Sequence, residues 1–277
     1  MATTQKATAP AKKSQGFQGI KAAFWIIVVC FILAVCFFKF FLGNSEHINP
    51  ETGAVIDGNM WGTIYKGGIV VPVILTLLFS VIALSIERWL ALNTAFGKGK
   101  LPKFVANIKA ALNANDFDKA QKICDDQRGV VANVVGASLR TYKEMEGVTG
   151  LKKEQKIARI QQAHEEATQL EMPTLTMNMP IIATIVTLGT LTALFGTVVG
   201  MIRSFAALAG EGGADSAKLS EGISEALVNT ASGILTSWVA VVAYNYYTNK
   251  IDKLTYAPDE VGYSIAQTYE ANHADEA

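Results

Sequence analysis

The sequence is poor in charge and in cysteine. Only 17% of its 277 residues are charged, and 24 Lys plus Arg balance 24 Asp plus Glu, so the formal net charge is zero. This balance lacks the basic excess typical of nucleic-acid binding. The three cysteines, Cys30, Cys36 and Cys124, have the spacing of neither a disulfide framework nor a zinc site. We therefore predict no metal, no cofactor and no nucleic-acid partner.

Sequence signatures of catalysis are also missing. No zinc-protease, phosphate-loop or nucleophile-elbow motif occurs, and the three histidines His47, His164 and His273 are scattered along the chain. We predict that these histidines are surface residues rather than ligands. The chain is therefore not expected to be an enzyme.

Apolar residues, by contrast, are abundant and are concentrated in four long runs. Half of the chain is hydrophobic, and its mean hydropathy is +0.26. A bilayer core needs roughly 20 mostly apolar helical residues, and lipid cannot satisfy irregular backbone. The runs predict an all-α polytopic membrane protein with four transmembrane helices, at Phe24 to Leu42, Gly67 to Ile86, Pro180 to Ile202 and Gly222 to Asn249.

The first run also resembles the apolar part of a signal peptide, since Lys residues precede it. However, the segment before it is about 20 residues long, and the run is followed by Gly43-Asn44-Ser45-Glu46 rather than by a small-residue cleavage pattern. The residues favour an uncleaved membrane anchor, with a cleaved signal peptide as the alternative.

Lys and Arg are distributed unevenly between the segments that join the runs. Residues 43–65 contain none, whereas residues 93–176 are rich in both. Cytoplasmic loops carry the excess of basic residues. With four spans, both termini and the long middle segment are predicted to face the cytoplasm, and the two other loops to face outward.

These spans divide the chain into nine predicted segments, with the last two helices extending into a helical cytoplasmic region. The segments are a disordered cytoplasmic N-terminus (1–20), an extra N-terminal transmembrane helix (21–42), a periplasmic loop (43–66), a transmembrane helix (67–92), a cytoplasmic helical domain (93–178), a transmembrane helix (179–209), a short periplasmic loop (210–219), a transmembrane helix (220–249) and a cytoplasmic C-terminal tail (250–277).

The middle segment carries helix start and stop signals. Leu101-Pro102-Lys103 predicts a helix reaching Asn113, and Asn115-Asp116 predicts the cap of a second helix through Cys124. Glycines at 129 and 147–150 mark breaks. A charged helix is expected from Leu151 to Leu170, with Pro173 and Pro180 kinking or ending the path beyond it.

Polar and small side chains share faces on the third span. At 100° per residue, Thr187, Thr190 and Thr197 fall within about 100° of one another. Gly189, Gly196 and Gly200 fall within about 40° on an adjoining arc. Such glycines permit close helix packing in lipid, while each Thr can alternatively bond to its own helix.

A second polar face runs along the fourth span. Glu225, Asn229, Ser232 and Thr236 share about 60° of the helix surface. Thr230 and Ser237 lie about 100° away, and Gly233 is predicted to pack against a neighbouring helix. We predict a proton pathway, lining the lumen of an assembly, from Thr197, Thr230, Glu225, Thr187, Thr190, Ser232, Thr236 and Asn229.

Charged residues near the span ends can also be explained by structural roles rather than by a role in the proton pathway. Glu225 is either an interfacial carboxylate beside a helix N-terminus or a lumen-facing group. Arg203 can extend to the membrane surface, and Glu87-Arg88 is predicted to be an interface anchor. The spans contain no Asp and no second acid expected to be buried. Because hydroxyls do not titrate near neutral pH, a proton path needs a partner with its own membrane acid.

Five short runs carry a family resemblance. Leu194-Phe195-Gly196-Thr197-Val198-Val199-Gly200-Met201 resembles the L-F-G-T-V-x-G-I signature of the MotA/TolQ/ExbB proton-channel family. Gly222-Ile223-Ser224-Glu225-Ala226-Leu227 with Thr230-Ala231-Ser232-Gly233 resembles its G-I-A-E-A-L-x-x-T-A-x-G run. Tyr244-Asn245 and Glu87-Arg88 match further positions, and the resemblance covers roughly residues 67 to 250.

The resemblance, which is greatest to the ExbB type, implies a homopentamer in the inner membrane of a Gram-negative bacterium. Its lumen would hold ExbD-like single-span subunits with a membrane Asp, and proton flow would drive a TonB-like protein in TonB-dependent outer-membrane transport. The resemblance places Thr197 and Thr230 in the lumen and makes Glu225 the family's helix glutamate. A TolQ-like subunit of a Tol-Pal envelope-maintenance complex is the alternative.

The chain departs from the family pattern in three respects. It has an extra first span, Thr190 and Val239 stand where the family often has proline, and Asn229 replaces a small apolar residue. Two further functions remain open from the residues. A stand-alone secondary transporter would be expected to show internal repeats and broken helices, and a structural scaffold would not need the polar faces.

Overall fold

The structure is a computed structural model that describes residues 23–49, 55–56, 59–208 and 216–273. These residues are helical apart from short connections and one isolated antiparallel bridge between Ile48 and Val55, which confirms the all-α prediction. The helices are α1 (Ala23–Cys36), α2 (Met60–Tyr65), α3 (Val70–Phe96), α4 (Leu101–Asn113), α5 (Phe117–Gln127), α6 (Val130–Glu146), α7 (Lys153–Thr176), α8 (Met179–Leu208) and α9 (Ser216–Asn272).

Four helical segments are long and apolar enough to cross a membrane, which confirms the predicted number of spans. Among the described residues the segments are Ala23–Leu42, Val70–Asn113, Lys153–Leu208 and Ser216–Asn272, and each contains an 18-residue stretch that is apolar on average and has at most two charged residues. The first continues from α1 into a π-helical turn over Phe37–Leu42.

The described residues form two compact units. One unit, here called the span unit, takes residues 23–88 and 178–247; the other, the charged unit, takes residues 89–177 and 248–273. The predicted N-terminal segment 1–20 lies outside the described residues, as does most of the predicted loop 210–219. Helix α9 begins at Ser216, within the segment assigned to that loop.

Local signals predicted several helix ends of the charged unit correctly, whereas α5 extends beyond the predicted Cys124 to Gln127 and α7 extends beyond the predicted Leu170 to Thr176. Helix α4 spans Leu101–Asn113 with proline in its first turn. The Asp116 side chain caps α5 by accepting a hydrogen bond of 2.9 Å from the backbone N–H of Lys119. Gly129, at φ +88°, occupies the left-handed region between α5 and α6. These findings confirm the expected helix, cap and break.

The predicted C-terminal tail contains a helical continuation of α9 that packs in the charged unit. Leu254, Val261 and Ile265 of this continuation are fully buried. Tyr142 of α6 stacks on Phe117 at a ring distance of 4.2 Å and meets Tyr269 of α9 edge to face at 4.8 Å. Aromatic packing of this kind favours an ordered helix through Asn272.

The three histidines are half-buried, and each ring contacts another side chain. His47 lies against the ring of Phe41, His164 lies 3.0 Å from the Ser138 hydroxyl, and His273 stacks on Tyr269. The contact of His164 could not be read from the sequence, because Ser138 is 26 positions away from it.

The core of the span unit joins α3, α8 and α9. Val81, Ile185 and Ala240 are buried together, one from each helix. The Tyr247 hydroxyl donates to the backbone carbonyl of Ser85 at 2.6 Å. Helix α1, the extra span, keeps much of its apolar surface exposed, with Phe24 at 70% and Trp25 at 66%. In lipid such a surface carries no penalty.

Burial of Cys124 in the charged unit leads to a chemical prediction. The side chain is 4% exposed, and burial, with a smaller contribution from the Asp125 charge, raises the thiol pKa to about 12. At pH 8 the reactive thiolate is therefore rarer than in a free cysteine by roughly a thousandfold. We expect iodoacetamide to modify the tryptic peptide of Cys124 only after denaturation. Equal modification of the native and denatured protein would contradict this packing.

Candidate functional site

Glycines bring the backbones of α8 and α9 close together in the span unit. A Cβ atom on Gly200 would lie 2.7 Å from the carbonyl oxygen of Gly222, and one on Gly233 would lie 2.6 Å from the carbonyl oxygen of Gly189. Real Cβ atoms do not approach backbone so closely, so only glycine fits these positions. Lipid gives no hydrophobic drive to helix association, and close packing of small residues replaces it.

Four hydroxyl groups meet in pairs along this contact. Thr197 of α8 lies 2.5 Å from Thr230 of α9, measured between their hydroxyl oxygens. Thr190 and Ser237 form the second pair at 3.0 Å. We call these four residues the hydroxyl seam. Both pairs follow one antiparallel register, because each partner shifts by seven residues, or about two turns.

The hydroxyls of the first pair also bond within their own helices. Thr197 donates to the carbonyl of Ala193, and Thr230 to that of Ala226, each at 3.0 Å. Each oxygen therefore has more than one available partner for its single proton. Such a group can change partners by a small rotation, which suits it to passing a proton on without titrating.

A carboxylate lies beyond one end of the seam. Glu225 is 4% exposed, and Arg203 Nη1 donates to both of its carboxylate oxygens, at 2.6 and 2.7 Å. Gly68, at φ +74°, brings its backbone against the carboxylate, where a Cβ would overlap Oε1. Arg203 was predicted to extend to the membrane surface; the structure instead pairs it with Glu225, leaving the guanidinium side chain about half exposed.

The predicted lumen face of α9 is divided between the interior and the surface of the chain. Asn229 and Thr236 are fully buried, and Thr236 donates to the Ser232 carbonyl at 2.9 Å. Ser232 is half-buried, and Thr187 of α8 is exposed with its hydroxyl donating to the Thr184 carbonyl. Within one chain, therefore, Glu225, Asn229 and Thr236 face neighbouring helices.

A second acid, Glu87, is buried in α3, so the prediction that no buried acid accompanies Glu225 is wrong. Glu87 is 4% exposed and Arg88 is fully buried. The Arg88 guanidinium donates to both carboxylate oxygens of Glu87, at 2.6 and 2.5 Å, and Asn178 adds a bond of 3.3 Å. Asn178 adopts φ +63°, which asparagine tolerates better than most residues. The sequence predicts an interface anchor for this pair.

Sequence reasoning missed two partners in this site, Arg203 and Ser237. The sequence predicts that Arg203 extends to the membrane surface, because it ends an apolar run. Ser237 stands apart in that prediction because it lies off the polar stripe of α9. The sequence contained a signal for Ser237. In an antiparallel helix pair, the residue numbers of contacting partners have a constant sum. Thr190 with Ser237 has the same sum as Thr197 with Thr230.

The geometry defines a polytopic membrane protein with a polar seam between its last two spans and an ion pair there whose carboxylate is buried. Among the described residues no cluster of three His, Cys, Asp or Glu could hold a metal ion. Residues 130–259 match the model of the MotA/TolQ/ExbB proton channel family. The match confirms the resemblance seen in the sequence, and the family it points to is one of proton channels rather than enzymes.

Individual relatives come from two branches of the family. The Tol-Pal system protein TolQ of Pseudomonas aeruginosa is 26% identical over 211 residues, which are 74% of this chain and 89% of that protein. TolQ of Haemophilus influenzae is 34% identical over 88 residues, 32% and 39% of the two chains. An ExbB-like biopolymer transport protein of Synechocystis is 36% identical over 87 residues, 31% and 41%.

The Arg203–Glu225 pair can be tested by removing one charge or both. Arg203→Met leaves a nearly buried carboxylate without its charged partner, so we expect a loss of about 1–3 kcal/mol in stability, reduced by the half exposure of Arg203. The double variant Arg203→Met with Glu225→Gln should recover most of this loss. The measurement is the thermal midpoint in detergent, and an Arg203→Met protein as stable as wild type would contradict the pairing.

Proposed function

We propose that the chain is an inner-membrane proton-channel and motor subunit that couples the proton motive force to work on the cell envelope. The observation that carries this proposal is the contact between Thr197 and Thr230. One threonine lies in each of the two signature runs of the family, and the two threonines are 33 positions apart. Their hydroxyls meet only because the runs fold against each other.

A partner subunit completes this mechanism. The hydroxyls of the seam hydrate and orient but do not carry a net charge at neutral pH. An ExbD-like single-span subunit with a membrane Asp supplies the group that takes up and releases protons. Thr187 and Thr190 are exposed in the single chain, which leaves polar groups on this side available to such a partner.

Several copies of the chain surround the partner in this proposal, with a homopentamer implied by the resemblance. Helices α8 and α9 expose apolar side chains that suit lipid or neighbouring copies, among them Leu191, Phe195, Leu227 and Trp238. Both termini and the charged unit are placed in the cytoplasm by the basic residues. Each proton moving through 100 mV releases roughly 2.3 kcal/mol, enough to bias one conformational step.

Removing single hydroxyls tests the channel. Thr197→Val and Thr230→Val preserve shape but delete one member of the pair, so we expect proton flux through the reconstituted complex to fall by about tenfold or more. Thr184→Val is the matched control, because Thr184 is an exposed α8 threonine that donates only to the Pro180 carbonyl of its own helix. Wild-type flux in both seam variants, with unchanged membrane insertion, would count against the proposal.

Two duties are open to such a subunit. The first is the ExbB-type role, in which the complex drives a TonB-like protein and thereby TonB-dependent outer-membrane transport; the shared signature runs support it. The second is a TolQ-type role in a Tol-Pal system, supported by the match to TolQ of Pseudomonas aeruginosa over 89% of that protein.

A chromosomal deletion separates the two duties. Loss of ferric siderophore uptake with an intact outer membrane indicates the ExbB-type role, because only the energised transporters have lost their supply. Detergent sensitivity and leakage of periplasmic proteins with normal uptake indicate the TolQ-type role. The measurements are radioactive iron uptake and growth on detergent, each with the deletion complemented by the wild-type chain. A deletion strain normal in both contradicts both duties.

A further inference from the structure

Asn229 combines complete burial with an unpaired amide. None of its surface is exposed, and neither Oδ1 nor Nδ2 has a hydrogen-bond partner among the described residues. An amide side chain can donate two hydrogen bonds and accept two. Burial without partners is unfavourable, and a leucine of nearly the same shape would avoid the penalty. Packing therefore does not explain an asparagine at this position.

On α9, Asn229 stands between Glu225 and the seam residue Thr230 along the chain. Asn229 follows Glu225 by four residues on the same face of α9, or about 6 Å along the helix. On the facing helix, a Cβ on Gly196 would lie 2.6 to 2.9 Å from Asn229 Cβ, Cγ and Nδ2. Gly196 and Asn229 directly precede Thr197 and Thr230, whose hydroxyls meet.

This spacing suits one bridging molecule of water. Two hydrogen bonds of about 2.8 Å together reach about 5.6 Å, which is close to the axial rise of roughly 6 Å between residues 225 and 229 of α9. Buried waters bind to polar groups that the protein leaves unsatisfied, and the Asn229 amide provides both a donor and an acceptor. An apolar side chain, such as that of the buried Ala226, offers a water molecule no hydrogen-bond partner.

We propose that Asn229 is a positioning residue of the proton path, holding a water that links the Glu225 carboxylate to the Thr197–Thr230 hydroxyl pair. This inference rests on the proposed function and adds a residue to its path. In this path Glu225 acts through groups inside a single chain and does not need to line the open lumen of the assembly.

The transfer conserves protons at each step. The water donates one proton to a Glu225 carboxylate oxygen and accepts one from a seam hydroxyl, which receives another from the partner side of the seam. Reversal of the same steps returns the proton. The Asn229 amide only orients the water, so its own covalent bonds do not change. Protonation of Glu225 removes its negative charge and weakens its ion pair with Arg203. The arrival of a proton is thereby coupled to release of the Arg203 side chain.

Asn229→Leu separates a positioning role from a structural one. The leucine fills the same volume and removes the unpaired amide, so a purely structural Asn229 predicts a protein that is at least as stable and conducts normally. The proposal predicts unchanged or higher thermal stability together with a fall in proton flux of about tenfold or more. The complex is purified from its native membranes, and flux is read with a pH-sensitive dye inside liposomes.

Two further variants serve as matched controls. Ser80→Ala removes another buried hydroxyl without a partner, on α3 of the same unit, and should keep wild-type flux. Asn229→Ser restores a polar group at the site and should recover flux to within a few-fold of wild type. If Asn229→Leu does not assemble, Asn229→Val is judged by the same criterion.

The outcomes distinguish this inference from the proposed function. Wild-type flux in stable Asn229→Leu, with flux lost in Thr197→Val, overturns the role of Asn229 and leaves the channel standing. Flux lost in Asn229→Leu but not recovered in Asn229→Ser also overturns it, because polarity is then not what matters. Absence of flux in the wild-type complex, or its persistence in both seam variants, overturns the proposed function itself.

Discussion

Lipid offers no hydrogen-bond partners, so every polar group in a spanning helix must find one inside the protein or tolerate having none. In the span unit this constraint is met by bringing α8 and α9 so close that backbone touches backbone. Gly200 and Gly233 make the approach possible, because a Cβ at either position would overlap a carbonyl oxygen. The hydroxyl seam exists only at this separation: one more carbon between the helices would move Thr197 and Thr230 out of contact.

Charged side chains and hydroxyl groups occupy different parts of the span unit. Two of the ion pairs described in the span unit contain a buried carboxylate, Glu225 with Arg203 beside Gly68 and Glu87 with Arg88, and they lie near opposite ends of the apolar stretch of α3. From Val70 to Glu87 the helix rises about 26 Å, close to the thickness of a bilayer core. Between these ends the interior is apolar around Val81, Ile185 and Ala240. The carboxylates are thereby kept away from the region where an unpaired charge costs most.

Much of the fold could be predicted because its signals are local. Span number follows from apolar runs, and the cap at Asp116 and the break at Gly129 follow from the preferences of single residues. The family followed from two short runs. Burial of Glu87, the partner of Arg203 and the packing of Tyr142 on Tyr269 could not be predicted, because each depends on residues far apart in sequence. A periodicity argument locates a polar face but does not say what that face meets.

The sequence by itself determined that the chain crosses a membrane in helices, where those helices lie, and which two carry polar faces, since hydrophobicity and helical period are properties of consecutive residues. Only the tertiary structure decided which polar groups meet. It turned the Glu225 and Asn229 stripe toward the interior of the chain and joined Thr230 and Ser237 to α8. The physical reason is that helix rotation and register are set by the closest packing of α8 on α9 through their glycines, and that packing is a property of the pair rather than of either segment.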